Sequence, residues 1–384
     1  MNTLQNVSIY FPNKLVFGSG VINQIAEELS GYNAQKVLLV TIEPILKALE
    51  PLLADIKARQ IEVQIDTSIV QEPTFEDFFT LMKKVEPFNP DVILGIGGGS
   101  VLDIAKLVAA QLGNPQELRE YVGIGLLKQR AKKLICAPAT AGTGSEVSPN
   151  AILVDNLDNQ KKGIISPYLV PDAVYADPLL TVSVPASITA ATGLDALTHC
   201  LEAYTNKFAN LFIDMYAYEG MKLIGAHIVE AVQNSNNEQA RVQVAMGSLL
   251  GGFCLGPVNT AGVHALSYPL GSLYHLPHGL SNALLLPYVM EYNLVTAPER
   301  YAKVAEALGC EPVANSLEMA KSGVAKVREL IQACGIPATL REVGVAHEDI
   351  PQMAKDALKI QRLLKNNPRP IEESDAIQIF EAAF

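Results

Sequence analysis

The chain is 384 residues long and 49% hydrophobic, with 40 acidic against 29 basic side chains and a formal net charge of −11. That length supports two domains with cores of their own, and that charge excludes a surface built to attract nucleic acid or anionic lipid. No apolar stretch reaches the ~18 residues of a membrane span, and the N-terminal "MNTLQNVSIYFPNK" lacks the layout of a signal peptide.

In chain order, "KVLLVT" (36–41), "IEVQI" (61–65), "DVILGI" (91–96), "KLICAP" (133–138) and "AVYA" (173–176) read as apolar strands. Between them, "VINQIAEELS", "PILKALEPLLADIKARQ", "FEDFFTLMKKV" and "SVLDIAKLVAAQL" carry apolar residues at three- and four-residue spacing, the helical period. Strands that are apolar on both faces and alternate with helices predict a parallel, Rossmann-like sheet between helical layers. The pattern changes near "DPLLTVSVPASITA" (177–190), beyond which helical stretches such as "FIDMYAYEGMKLIGAHIVEAV" and "VAKVRELIQACG" dominate. An α/β domain over residues 1–184 and an all-α domain over 185–384 are therefore expected. The densest basic run, "KQRAKK" (128–133), reads as a solvated face before a strand. Five scattered cysteines without a C-x-x-C pair predict reduced thiols in a cytoplasmic protein.

Within the first domain, "DVILGIGGGSVLDIAKLVAA" runs from strand to glycine turn to helix. Gly97, Gly98 and Gly99 let a bulky anion approach the backbone, and the helix opening near Ser100 aims its free N–H groups at the same place. No Gly-Lys-Ser/Thr follows, so this is not a Walker loop. It also lacks the acidic residue about twenty positions on that completes the usual dinucleotide fingerprint. A second loop, "APATAGTGSEVSPNA" (137–151), adds the hydroxyls of Thr140, Thr143 and Ser145, suited to a phosphate, ribose or amide. Two such loops at strand C-termini predict a nucleotide site.

The second domain opens with "GLDALTHCLEAY" (193–204), where Asp195 and His199 stand four residues apart in an apolar stretch. On a helix both project from one face, either as a hydrogen-bonded pair or as two ligands of one cation. His264, His275 and His278 make up half of the six histidines and fall within fifteen residues. One carboxylate with imidazoles suits Fe²⁺ or Zn²⁺ better than calcium or magnesium. Spacing alone leaves open which two of the three histidines converge with Asp195 and His199.

Four stretches in series, "GGGSVLDIAK" (97–106), "APATAGTGSEV" (137–147), "ATGLDALTHCLEAY" (191–204) and "VHALSYPLGSLYHLPHGLSNALLLP" (263–287), resemble the iron-containing, or group III, alcohol dehydrogenase family. The resemblance implies that family's architecture, shared with dehydroquinate synthase. It also implies a metal, Fe²⁺ with Zn²⁺ as the alternative, held by Asp195, His199, His264 and His278. Gly97, Gly98, Gly99, Ser100 and Asp103 match the pyrophosphate turn of an NAD or NADP site, Thr140 and Thr143 its lining. Asn150 and Lys162 correspond to residues near the nicotinamide and its ribose. The activity implied is hydride transfer between a small alcohol or aldehyde and the nicotinamide, in a homodimer or larger assembly.

Three departures from the family pattern stand out. Tyr268 takes the place of a histidine thought to pass protons, which leaves that role to Tyr268, to His275, or to the ribose and water. Ile42 and Glu43 in "VTIEP" replace the Asp directly after Val-Thr that accompanies NAD preference. Leu255 and Pro257 in "GGFCLGPVNTAG" replace Phe and Asn. A lyase of the dehydroquinate synthase kind is the alternative function. It calls for several basic residues around the ligands, whereas Leu, Ala, Tyr and Phe stand there and favour a small uncharged substrate.

Overall fold

Strand β4 (Val92–Gly97) is buried along its whole length, as its unbroken apolar run demands of a central parallel strand. The computed structural model describes residues 6–158 and 160–384. Around β4 lie β1 (Lys14–Phe17), β2 (Lys36–Val40), β3 (Glu62–Asp66), β6 (Lys133–Pro138) and β9 (Ala173–Ala176). They form a six-stranded sheet in the order β1-β9-β6-β4-β2-β3, with every pairing parallel. The α/β, Rossmann-like first half is thus the observed one, and β2, β3, β4, β6 and β9 fall where their sequences predict.

The intervening helices are α1 (Ile25–Gly31), α2 (Leu46–Ala58), α3 (Phe75–Val85) and α4 (Gly99–Gln111). Successive residues of a strand point to opposite faces, and β2 divides its side chains accordingly. Leu38 and Val40 join a core with α3 and α4, while Val37 and Leu39 join one with α1 and α2.

Four strands escape the sequence reading. β1 is a four-residue edge strand with its first two residues exposed, too short and wet for an apolar run. A smaller sheet pairs β5 (Gly123–Ile124), β8 (Gln160–Ile165) and β7 (Asn150–Asp155), with β7 and β8 antiparallel. The β8 sequence "QKKGII" is half polar, and its alternation shows only against its partner.

Lys106 ties this hairpin to α4. Its ammonium is fully buried and donates to Ser145 Oγ at 2.8 Å and to the carbonyls of Ser148 at 3.0 Å and Asn150 at 2.8 Å, so all three donors are met. One turn earlier on the helix, the Asp103 carboxylate accepts from Ser145 Oγ and, at 2.9 Å, from the Ile152 backbone N–H. The neighbouring Glu146 is 3% exposed, and burial pushes its carboxyl up from 4.5 to about 7. Between those two values the unfolded chain gives up a proton that the folded chain keeps, so stability falls as pH rises through that window and does not return above it. Glu146→Gln is expected to flatten this dependence and to stabilise the protein above pH 7 by up to about 3 kcal/mol. Denaturant titrations of both proteins at the two ends of the window would show it; parallel curves would contradict it.

The rest of the chain is helical: α5 (Ala186–Thr205), α6 (Leu211–Gln233), α7 (Glu238–Cys254), α8 (Gly262–Tyr274), α9 (His278–Leu294), α10 (Pro298–Ala307), α11 (Ser316–Ala333), α12 (Ile350–Leu358), α13 (Gln361–Leu364) and α14 (Glu373–Ala383). Two compact units result, one running up to Thr140 and resuming over Gly144–Ser183, the other made of Val184–Phe384 with the three residues Ala141–Thr143. Helix α5 is buried nearly all round from Gly193 to Thr205, as a helix that is mostly apolar on every side must be. Among the described residues no helix is long and apolar enough to cross a membrane.

Candidate metal centre

Because α5 is central, its few polar side chains are buried with it. Asp195, His199 and Glu202 follow one another by four and three residues, which puts them on one stripe of the helix. All three are at most 5% exposed. Helix α8 brings His264 against them and the first turn of α9 brings His278. From Asp195 Oδ1 the Nε2 atoms of His264, His199 and His278 lie at 3.6, 3.9 and 3.9 Å. The His199 and His264 rings stack with centres 4.8 Å apart.

The tautomers follow from the partners. His199 Nδ1 lies 3.2 Å from the Gly142 carbonyl and His264 Nδ1 lies 2.7 Å from Glu202 Oε2. A carbonyl and a carboxylate only accept, so both Nδ1 atoms carry the proton and both Nε2 lone pairs face Asp195. Glu202 is the residue that the sequence reading passed over. Its two oxygens also accept from the backbone N–H of Ala261 at 2.9 Å and of Val263 at 2.6 Å, so one carboxylate fixes both the ring of His264 and the start of α8. Burial would raise the Asp195 carboxyl, but His199, His278 and His264 outweigh it and hold it well below the usual range.

Among these acceptors stands a single amide. Asn282 Nδ2 lies 2.7 Å from Asp195 Oδ1, 3.0 Å from His264 Nε2 and 3.3 Å from His278 Nε2, while its own Oδ1 is buried without a partner. One NH₂ has two protons, which Asp195 Oδ1 and His264 Nε2 take, and the His199 Nε2 lone pair still faces Asp195 without one. A carboxylate and imidazole lone pairs converging with too few protons fit a dication of the Fe²⁺ or Zn²⁺ type.

Two glycines allow the approach. A Cβ on Gly142 would stand 2.7 Å from Thr192 Cβ, and one on Gly279 would stand 2.3 Å from the Ala191 carbonyl oxygen and 3.2 Å from Asp195 Cβ. Gly279→Ala is therefore expected to lever α9, and His278 with it, away from α5, costing ~1–3 kcal/mol of stability and weakening metal binding. An unchanged melting temperature with unchanged metal affinity would overturn this expectation.

The remaining sequence-predicted residues are placed as follows. Gly97 ends β4; Gly98, extended and without a capping side chain, precedes α4, whose first turn holds Gly99 and Ser100. That leaves first-turn N–H groups without acceptors in their own helix. A Cβ on Gly98 would lie 3.5 Å from Thr140 Oγ1, so the two loops adjoin. Asn150 opens β7 with its Oδ1 buried and unpartnered. Lys162, on β8, is ion-paired with Asp158, and Thr143 belongs to the helical unit. Tyr268 packs edge-on against His278, ring centres 6.2 Å apart. His275 is exposed and ends α8 in the left-handed conformation, φ 54°.

Residues 12–178 match the family described as "Iron-containing alcohol dehydrogenase", and residues 189–384 match "Fe-containing alcohol dehydrogenase family, C-terminal". The chain is 35% identical over 382 residues to long-chain-alcohol dehydrogenase 1 of Geobacillus thermodenitrificans, covering 98% of this chain and 96% of that one. It is 35% identical over 378 residues to 1,3-propanediol dehydrogenase of Klebsiella pneumoniae, covering 97% of both. A solved 1,3-propanediol oxidoreductase superposes with a TM-score of 0.95 at 35% identity, over 99% of this chain and 100% of the other.

Proposed function

The chain belongs to the iron-containing alcohol dehydrogenase family and is an oxidoreductase of alcohols and aldehydes; on that premise we propose that it works with Fe²⁺ and NAD on a small alcohol–aldehyde pair. With relatives of that activity matched over nearly its whole length, the lyase alternative falls away. The observation that carries the reading is the convergence of Asp195, His199, His264 and His278, with nitrogen lone pairs on two of the rings directed inward by Gly142 and Glu202. These four residues would hold the metal.

Bound there, a dication lowers the pKa of an alcohol, or polarises a carbonyl, so that hydride can move to or from the nicotinamide. The protein's own side chains do the rest. Asp195 supplies the compensating charge, and the glycine turn at Gly97–Ser100 with Thr140 offers N–H and hydroxyl donors to the pyrophosphate. Asn150 Oδ1 offers an acceptor, and Asp103 and Lys106 hold the second loop against α4. Thr143 and Lys162 complete the proposed cofactor contacts. Tyr268 and His275 are the candidates for handing the alcohol proton to solvent. In this reading residues 1–184 carry the cofactor and residues 185–384 the metal and substrate. A cytoplasmic homodimer or larger assembly completes the proposal, in keeping with free thiols at all five cysteines.

The deciding experiment strips the protein with a chelator and restores it anaerobically with Fe²⁺ or Zn²⁺. It then follows absorbance with NAD or NADP against a panel of short alcohols. Reduced cofactor is expected to appear in step with alcohol consumed, fastest with Fe²⁺ and NAD. Absence of net reduction, or indifference to metal, would refute the proposal.

A further inference from the structure

One cation beside the site has no role in the chemistry above. Arg362, on the short helix α13, donates from Nη2 to Tyr268 Oη at 2.8 Å, and its guanidinium lies 5.8 Å from the centre of the Tyr268 ring. Tyr268 stands one helical turn past His264 and edge-on to His278. This is the open side of the cluster: the His278 side chain is 34% exposed, against 4% for Asp195 and His264 and 6% for His199. A substrate reaching the metal ligands from outside would pass Tyr268 and the half-buried Arg362.

Four other arginines are neutralised. Arg119, Arg130, Arg300 and Arg328 each meet a carboxylate, of Asp155, Asp172, Asp214 and Glu291 respectively. Among the described residues no such ion pair forms at Arg362. A guanidinium has five N–H donors in a planar fork, and a phenol oxygen takes only one. The fork matches a carboxylate or sulfonate.

We propose that Arg362 is the specificity-determining residue of this enzyme, and that its substrate is a short aldehyde bearing a carboxylate or sulfonate at the end away from the reacting carbon. This rests on the metal-dependent reading above and narrows it. The surroundings read as apolar from the sequence govern the reacting end, and Arg362 governs the other. The rival role for Arg362 is that of a prop holding the Tyr268 ring against His278, which would serve every aldehyde alike.

The test measures kcat/KM on the Fe²⁺-loaded enzyme with NADH for butanal, 4-oxobutanoate and 2-oxoethanesulfonate, in wild type and Arg362→Gln. Wild type is expected to favour at least one anionic aldehyde over butanal by about tenfold or more. Arg362→Gln is expected to lower the anionic arm by about 10–100-fold, mostly through KM, as loss of a charge-assisted contact does. Butanal reduction should stay within about threefold of wild type. The arm that suffers more tells carboxylate from sulfonate. A wild-type preference for butanal, or an equal loss on all three substrates, overturns the assignment while leaving the dehydrogenase intact. If wild type reduces none of them yet oxidises the short-alcohol panel in a metal-dependent way, the assignment of Arg362 falls and the dehydrogenase stands. If the alcohol panel fails as well, the metal-dependent reading itself has failed.

Discussion

His264→Ala is expected to lower kcat/KM for alcohol oxidation by roughly a thousandfold or more, about 4 kcal/mol of transition-state stabilisation, while the chain stays folded. The substitution removes one of the converging imidazoles, and with it a donor atom 3.6 Å from Asp195. It leaves Glu202 two backbone N–H partners, Ala261 and Val263, so the start of α8 keeps its anchor. Metal content measured on purified protein should fall, and circular dichroism should not change. Affinity for NAD should also persist, because the proposed pyrophosphate turn lies in the other unit. Near-wild-type turnover by this variant after rigorous chelation would end the metal-dependent account.

Glu202→Gln should have the next largest effect, and it separates positioning from ligation. The glutamate accepts three hydrogen bonds at once, from His264 Nδ1 and from the N–H groups of Ala261 and Val263. A glutamine has one acceptor oxygen and one NH₂, which meets those N–H donors with another donor. The His264 ring then loses its fixed tautomer and its basicity. Metal affinity is expected to drop by about 10–100-fold, the usual cost of losing the partner behind a ligating histidine. Competition against a chromophoric chelator would measure it. A lower melting temperature with unchanged metal affinity would reduce Glu202 to a helix anchor.

Legibility followed physical locality. The sheet strands β2, β4, β6 and β9 announce themselves because burial on both faces leaves an uninterrupted apolar run. The glycine turn shows because a bare backbone between strand and helix has few other uses. The β7–β8 hairpin is harder to read because the apolar run of β7, Ala151–Val154, is only four residues long, and "QKKGII" is polar over its first half and reads as a strand only beside its antiparallel neighbour. At the candidate site, Asp195 and His199 were visible as a pair, yet Glu202 completes the same helical stripe three residues on. Asn282 stands four residues after His278. Both could have been found by asking why a carboxylate and an amide lie at helical spacing from ligands inside apolar segments. The link from Arg362 to Tyr268 spans 94 positions, and no local pattern encodes it.

The three residues Ala141–Thr143 have a consequence for how this protein can be divided. They lie well inside the N-terminal half of the sequence yet fold with the helical unit, and one of them supplies the carbonyl that orients His199. A gene cut near codon 184 would give a C-terminal fragment carrying all four proposed ligands but lacking the fixture for one of them. Chimeras that exchange halves between relatives would inherit this carbonyl from the cofactor-side parent. Transplanted modules should therefore be bounded by where segments fold, not by the midpoint of the reading frame.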